Sequence, residues 1–197
     1  MKKSILSILL AVSLVVPVLA SEKKDMEVDL KIGYILDNNV KLYLDTGTDS
    51  GSTDRGLILG TDFYYYVASD LALGLGVNYI FDSKANYGYT DKYGFTNVYF
   101  AIKPKMDLDS DILDSFYFIG QIGYGFFRFS PDDAYEMEDR SLENGLYWAL
   151  GIGLEIANHF ILELIHSFNY GYVNTNNHRS DMRYSELSIS AGYKFSL

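Results

Sequence analysis

The final eleven residues alternate without a break. Leu187, Ile189, Ala191, Tyr193, Phe195 and Leu197 are apolar, while Ser188, Ser190, Gly192, Lys194 and Ser196 between them are small or polar. Successive side chains on a strand point to opposite sides, so this stretch reads as a strand with one greasy and one small or polar face. Such a strand needs partners along both edges and an apolar surrounding for its large residues. Whether the rest of the chain can supply both is the question that decides the fold.

Seven further segments repeat the pattern, at about 26–36, 56–67, 71–81, 95–104, 116–129, 146–156 and 160–172, ahead of the last at about 184–197. In the first, Met26, Val28, Leu30, Ile32, Tyr34 and Leu36 oppose Glu27, Asp29, Lys31 and Gly33. In the third, Leu71, Leu73, Leu75, Val77, Tyr79 and Phe81 oppose Ala72, Gly74, Gly76 and Asn78. The sixth sets Leu146, Trp148, Leu150, Ile152, Leu154 and Ile156 against Ala149, Gly151, Gly153 and Glu155. Short or moderate turns near 68–70, 105–115 and 157–159 alternate with long polar stretches near 37–55, 82–94, 130–145 and 173–183.

The two faces say what surrounds the sheet. A soluble eight-stranded barrel keeps large apolar residues inside and long charged residues outside. Here the less apolar face is rich in Gly and Ala, which suit the interior of a narrow barrel and poorly suit a solvated exterior. The large residues then face outward, into lipid. No Cys is present, which excludes a disulfide framework and any thiolate metal site. No stretch beyond the N-terminal one is long and apolar enough to span a bilayer as a helix, so spanning requires a closed barrel.

Lys2 and Lys3 precede an apolar stretch from Ile5 to Leu19 that is broken only by Ser7, Ser13 and Pro17, and Val18-Leu-Ala20 offers a cleavage site. This predicts a secretory signal over residues 1–20 and a single mature domain over 21–197. Loss of the two lysines takes the formal net charge from −10 to −12, which argues against nucleic acid as a partner.

An apolar strand with an aromatic pair beside the final carboxylate resembles the signal that outer-membrane barrels present to their assembly machinery. Most members of that class end in Phe, whereas Leu197 is last here and Phe195 stands two positions in. Together with the signal and the eight alternating segments, the chain resembles the OmpA/OmpX-type outer-membrane β-barrel domain family. The resemblance implies an all-β, eight-stranded antiparallel up-and-down transmembrane barrel in a Gram-negative-type outer membrane. It implies lipid and lipopolysaccharide as surroundings and the barrel assembly machinery as a partner of the C-terminal strand. Members stabilise the envelope, bind host surfaces, or in a few branches process lipids; the expected role is non-enzymatic, with no cofactor, no metal and no catalytic residue. Stretches 37–55, 82–94, 130–145 and 173–183 become surface loops open to an extracellular ligand.

Within the expected lumen the charges gather toward one end. Glu27, Asp29, Lys31, Lys103, Glu155, Glu163 and Lys194 fall on the inward parity near the short turns. Two acids flanking one tight turn suggest acid/base chemistry, but buried charges need partners, and a lysine-compensated ion network is the favoured arrangement. Tyr64, Tyr66 and Tyr99 share that parity and narrow the channel. An aromatic girdle is expected outside: Tyr65, Phe118, Phe160, Tyr193 and Phe195 low, and Tyr79, Phe81, Tyr124, Phe126, Trp148, Tyr170 and Tyr172 high.

Two motifs bear on chemistry. His166-Ser-Phe-Asn169-Tyr-Gly171 resembles the His-x-Ser-Asn-x-Gly motif of outer-membrane lipid A deacylases at His166, Asn169 and Gly171, which makes a lipid hydrolase the alternative function. The nucleophile position on the histidine's own face is Phe168, and Ser167 points the other way, so it cannot hydrogen-bond its base. Asp132, Asp133, Glu136, Glu138 and Asp139 form an acidic loop whose oxygens suit Ca²⁺ in kind but follow no defined ligand spacing, so a solvated loop is expected.

The mature protein should therefore begin at Ser21 and migrate faster on gels when unboiled than when boiled. N-terminal sequencing and a heat-modifiability gel check this, and recovery of the chain in the soluble periplasmic fraction contradicts it.

Overall fold

The computed structural model describes residues 26–44, 47–52, 55–86, 90–110, 112–130, 140–175 and 178–197. The proposed signal and the acidic loop acids lie outside them. Ten strands follow in chain order: β1 (Met26–Leu44), β2 (Gly47–Gly51), β3 (Leu57–Ala68), β4 (Leu71–Asn86), β5 (Thr90–Asp107), β6 (Leu113–Ser130), β7 (Arg140–Glu143), β8 (Gly145–Ile156), β9 (Phe160–Thr175) and β10 (His178–Ser196). Eight are barrel staves, paired antiparallel in the order β1-β3-β4-β5-β6-β8-β9-β10, and β10 pairs back onto β1. The short β2 and β7 extend the wall beyond the staves by pairing with β1 and β9. In lipid, no water is available to satisfy backbone groups, so only such closure leaves no edge unpaired.

The register sets the width. One row of paired, inward-facing residues runs Glu27, Tyr64, Gly74, Ala101, Gln121, Ala149, Ser167, Glu186 and returns to β1 at Asn38. The circuit has climbed eleven positions along β1, from Glu27 to Asn38. One of the eleven is the bulge between Ile35 and Asp37. A stagger of ten over eight strands tilts them by roughly 40° and leaves an interior only wide enough for side chains. That narrowness explains the glycines. A Cβ on Gly76 would overlap the Asp62 carboxylate and the Tyr99 ring, and one on Gly153 would overlap the Tyr117 ring.

The faces are inverted relative to a soluble protein. Phe100 and Leu150 are 68% and 60% exposed, while Lys103 and Glu155 are fully buried. Every aromatic of the expected girdle lies outward, exposed or half-buried. Pairs stack along it, with Trp148 flat against Phe168 at 4.1 Å and Tyr193 edge-on to Phe160 at 5.6 Å. Val28 keeps its outward face but is covered by its neighbours. It stands between Phe63 and Phe195 in the ladder and is only 4% exposed.

The strands run further than the side-chain alternation. The polar stretches expected as loops at 37–55, 82–94 and 173–183 are largely ladder: β4–β5 pairing continues to Asn86 and Thr90, and β9–β10 pairing to Thr175 and His178. Backbone hydrogen bonds need no apolar side chain, so the hairpins carry on past the greasy band. At the other end the turns are tight. Ala157 and Asn158 both take positive φ, 50° and 62°, the conformation of a two-residue hairpin turn that matches strand twist.

Removal of Phe195-Ser-Leu197 deletes the rungs Val28–Phe195 and Glu27–Ser196 and the bond from the Leu197 amide to the Met26 carbonyl. Truncated protein should lose most heat-modifiable, membrane-inserted barrel. Folded yield equal to wild type contradicts this account of the seam.

Candidate functional site

Between the two barrel ends the lumen holds four layers of side chains. The lowest is centred on Lys103, delivered by β5 and fully buried. Its ammonium lies 2.5 Å from Glu27, 3.0 Å from Glu155 and 3.6 Å from Asp29. It also sits over the rings of Tyr117 and Tyr64, at 4.3 and 5.0 Å from their centroids. Glu155 receives two more ammoniums, Lys194 at 2.7 Å and Lys105 at 3.2 Å. Tyr66 closes the layer by donating its hydroxyl to Glu27 at 2.6 Å.

One step up, Lys31 bridges β1 to β3 and β9, with Asp62 at 2.5 Å and Glu163 at 2.8 Å. Tyr99 donates to Asp62 at 2.7 Å and Tyr117 to Glu163 at 3.2 Å. All seven charges expected from parity therefore enter the two layers, and the acids do meet lysines. Asp62 and Lys105 join them. Asp62 shares its parity with Tyr64 and Tyr66, which was the available signal for it. Lys105 keeps the register, opposite Tyr117, and shares its parity with Lys103; it lies just past Pro104, where the alternating segment was expected to end.

Oxygens of Asp29, Asp62 and Glu163 approach within 4.8 Å of one another, the spacing of a small cation site. Lys31 already fills that place, since its ammonium contacts two of the three carboxylates. Acid/base chemistry by Glu155 and Glu163 has no opening either. Glu155 is held by three lysines, and both carboxylates are buried.

Above the charges comes a polar belt. Tyr147 donates to Gln121 at 2.6 Å, Asn97 to Asn78 at 2.8 Å, and Ser167 and Tyr184 both donate to Glu186, at 3.1 and 2.9 Å. The top is apolar. Ile35, Val40, Ile58, Ile80, Phe95, Met182 and Tyr184 cluster inside, with Phe127 against them and Phe95 stacked on Tyr184 at 4.4 Å. Parity puts Ile35, Ile58, Ile80, Phe95 and Tyr184 inward, but the bulge after Ile35 shifts the phase of β1, so the inward place of Asn38 and Val40 did not show in the alternation.

Outside, His166 faces the apolar band. Its ladder partners are Leu150 and Leu187, and its ring lies 4.4 Å from that of Phe168. Ser167 is buried in the lumen and committed to Glu186. The two residues of the suspected motif thus lie on opposite sides of the wall, as parity required.

A family model described as outer membrane protein beta-barrel domain matches residues 6–195. Among solved structures, the outer membrane protein AlkL in lipid bilayers is similar at 15% identity and TM-score 0.54, over 90% of this chain and 93% of that one. Neisserial surface protein A is similar at 13% identity and TM-score 0.52, over 87% of this chain and 97% of that one. These likenesses are of fold. No curated protein matches the sequence.

Replacing Lys103 with Met leaves Glu27, Asp29 and Glu155 facing one another without their shared cation. Breaking a buried ion cluster in this way costs about 3–5 kcal/mol, to be read as a lower urea midpoint for refolding into vesicles. Lys105→Met removes a part-exposed satellite contact and should cost less than about 1 kcal/mol. Equal midpoints for Lys103→Met and wild type contradict the role given to this layer.

Proposed function

The chain belongs to the outer membrane protein β-barrel family and resides in the outer membrane. On that footing we propose that it is a non-enzymatic barrel that serves envelope integrity and surface contact, with its activity in its walls and extended hairpins, not its lumen. The observation that carries this reading is the filling of the lumen at every level. Lysine–carboxylate layers, a tyrosine–amide belt and an apolar plug succeed one another with little continuous space. Midway along the lumen the gap beside Gln121 and Glu186 is only about 30 Å³, room for a few waters. At the end near the termini a recess of about 950 Å³, lined by Glu27, Tyr66, Lys105 and Lys194, stops at the lowest charged layer.

Beyond the apolar band, the β1–β2, β4–β5 and β9–β10 hairpins rise as ladders, with one register shift in β4–β5 between Ile80 and Ser83. Their described residues carry much of the expected contact segments 37–55, 82–94 and 173–183. A lipid hydrolase built on His166 has no support in the geometry around that ring, whose neighbours along and across the strands are Leu164, Phe168, Leu150 and Leu187.

In planar bilayers the purified barrel should give no stable large single-channel current; reproducible large openings contradict a filled lumen. Overexpressed wild type and His166→Ala should leave the lipid A mass spectrum equally unchanged. Loss of an acyl chain that depends on His166 would establish the hydrolase instead.

A further inference from the structure

On the outer wall, at the rim away from the termini, two cations face each other directly across the ladder. Lys41 on β1 pairs with Arg183 on β10, and both are exposed. Like charges directly opposite in a ladder are destabilising. Among the described residues no carboxylate lies within ion-pair distance of either. The outward acids nearest in register are Asp181, which stands opposite Tyr43, and Asp37, four positions down β1 from Lys41. In a chain with net charge −10, two cations directly opposed in a ladder are the exception.

The surroundings shape the pair into a site. Arg183 lies over the rings of Tyr43 and Tyr170, at 4.7 and 5.5 Å from their centroids, which lays its guanidinium along the wall. A recess of about 170 Å³ opens there, and Asn39 and Ser185 add polar groups beside the two cations. Depth names the occupant. Arg183 stands twelve residues along β10 from Phe195 of the low girdle. At about 3.3 Å per residue and roughly 40° of tilt, that is about 30 Å along the barrel axis, the thickness of a hydrocarbon core. The pair therefore sits at headgroup level in the outer leaflet, beside Tyr170 and Tyr172 of the high girdle.

We propose that Lys41 and Arg183 form an anion site that takes the phosphate of a phosphorylated lipid in the outer leaflet. The guanidinium fork suits two phosphate oxygens and the lysine adds a point charge. The bound anion offsets the repulsion that the pair carries by itself. The inference rests on the outward face being lipid-bound, and a failure there would show as missing heat-modifiable barrel and not as altered lipid retention.

The test uses full-length mature protein in phosphatidylcholine vesicles doped with diphosphoryl lipid A or its dephosphorylated form. Co-purifying lipid is counted by native mass spectrometry after extraction in an uncharged detergent. Wild type should retain the phosphorylated lipid, and K41Q/R183Q should lose about tenfold in retention, the loss expected for one charge-assisted contact of about 1.4 kcal/mol. The dephosphorylated lipid should be retained no better by wild type than by the variant. In detergent alone the double variant should be at least as stable as wild type, because the like-charge contact is gone. Equal retention by wild type and variant, or equal retention of both lipids by wild type, overturns the proposal. So does selective binding of soluble inorganic phosphate or dextran sulfate by wild type with lipid retention unchanged, which would make a soluble anion the occupant.

Discussion

Backbone amides and carbonyls that cross hydrocarbon must find their partners within the chain, and everything else in this molecule follows from that requirement. Eight staves satisfy it by closing β10 onto β1. Closure with this stagger leaves an interior too narrow for a channel and too wide to stay empty. The lumen is filled accordingly, with glycine where a tyrosine ring crosses, as at Gly76 beneath Tyr99 and Gly153 beneath Tyr117. The large apolar side chains have only one direction left, outward.

The charged layers show how ions can be buried inside a barrel that spans lipid. Desolvating an ammonium or a carboxylate is costly, and a single pair seldom recovers that cost. Here each lysine serves several acids and most acids several donors, while Asp29 meets Lys103 alone, at 3.6 Å. Lys103 touches three carboxylates and two tyrosine rings, and Glu155 accepts three lysines. Sharing raises the attraction per desolvated group and fixes one arrangement of the strands around it.

Much of the architecture was legible from period-two alternation, because each stave separates lipid from lumen and side chains must obey that division. Parity assigned Lys31, Lys103, Lys194, Glu155 and Glu163 to the interior, and it placed His166 and Ser167 on opposite faces. Alternation fails wherever the backbone departs from strict pleating or the environment stops differing between faces. The bulge after Ile35 inverts the phase of upper β1, so Val40's place in the apolar plug was hidden. Beyond the lipid both faces meet similar surroundings, so the hairpins at 82–94 and 173–183 read as loops although their ladders continue. Which acid meets which lysine depends on distances across the lumen that no one-dimensional pattern encodes. Asp62, two residues from Tyr64 on the same face, joined the network in this way.

The ion layers also straddle the seam. Lys31 on β1 reaches over β10 to Glu163 on β9, and Lys194 on β10 reaches Glu155 on β8 and comes within 4.0 Å of Glu27 on β1. While the barrel stands open, Glu163 is held apart from Lys31 and Glu27 from Lys194 by the gap between first and last strands. Their charges are then exposed together in a half-formed sheet. Docking of the terminal strand completes ladder and network in the same motion, so a sheet joined one residue out of register would seat its rungs but strand its ions. The inside of the wall thereby acts as a lock that only one alignment of the two ends will turn.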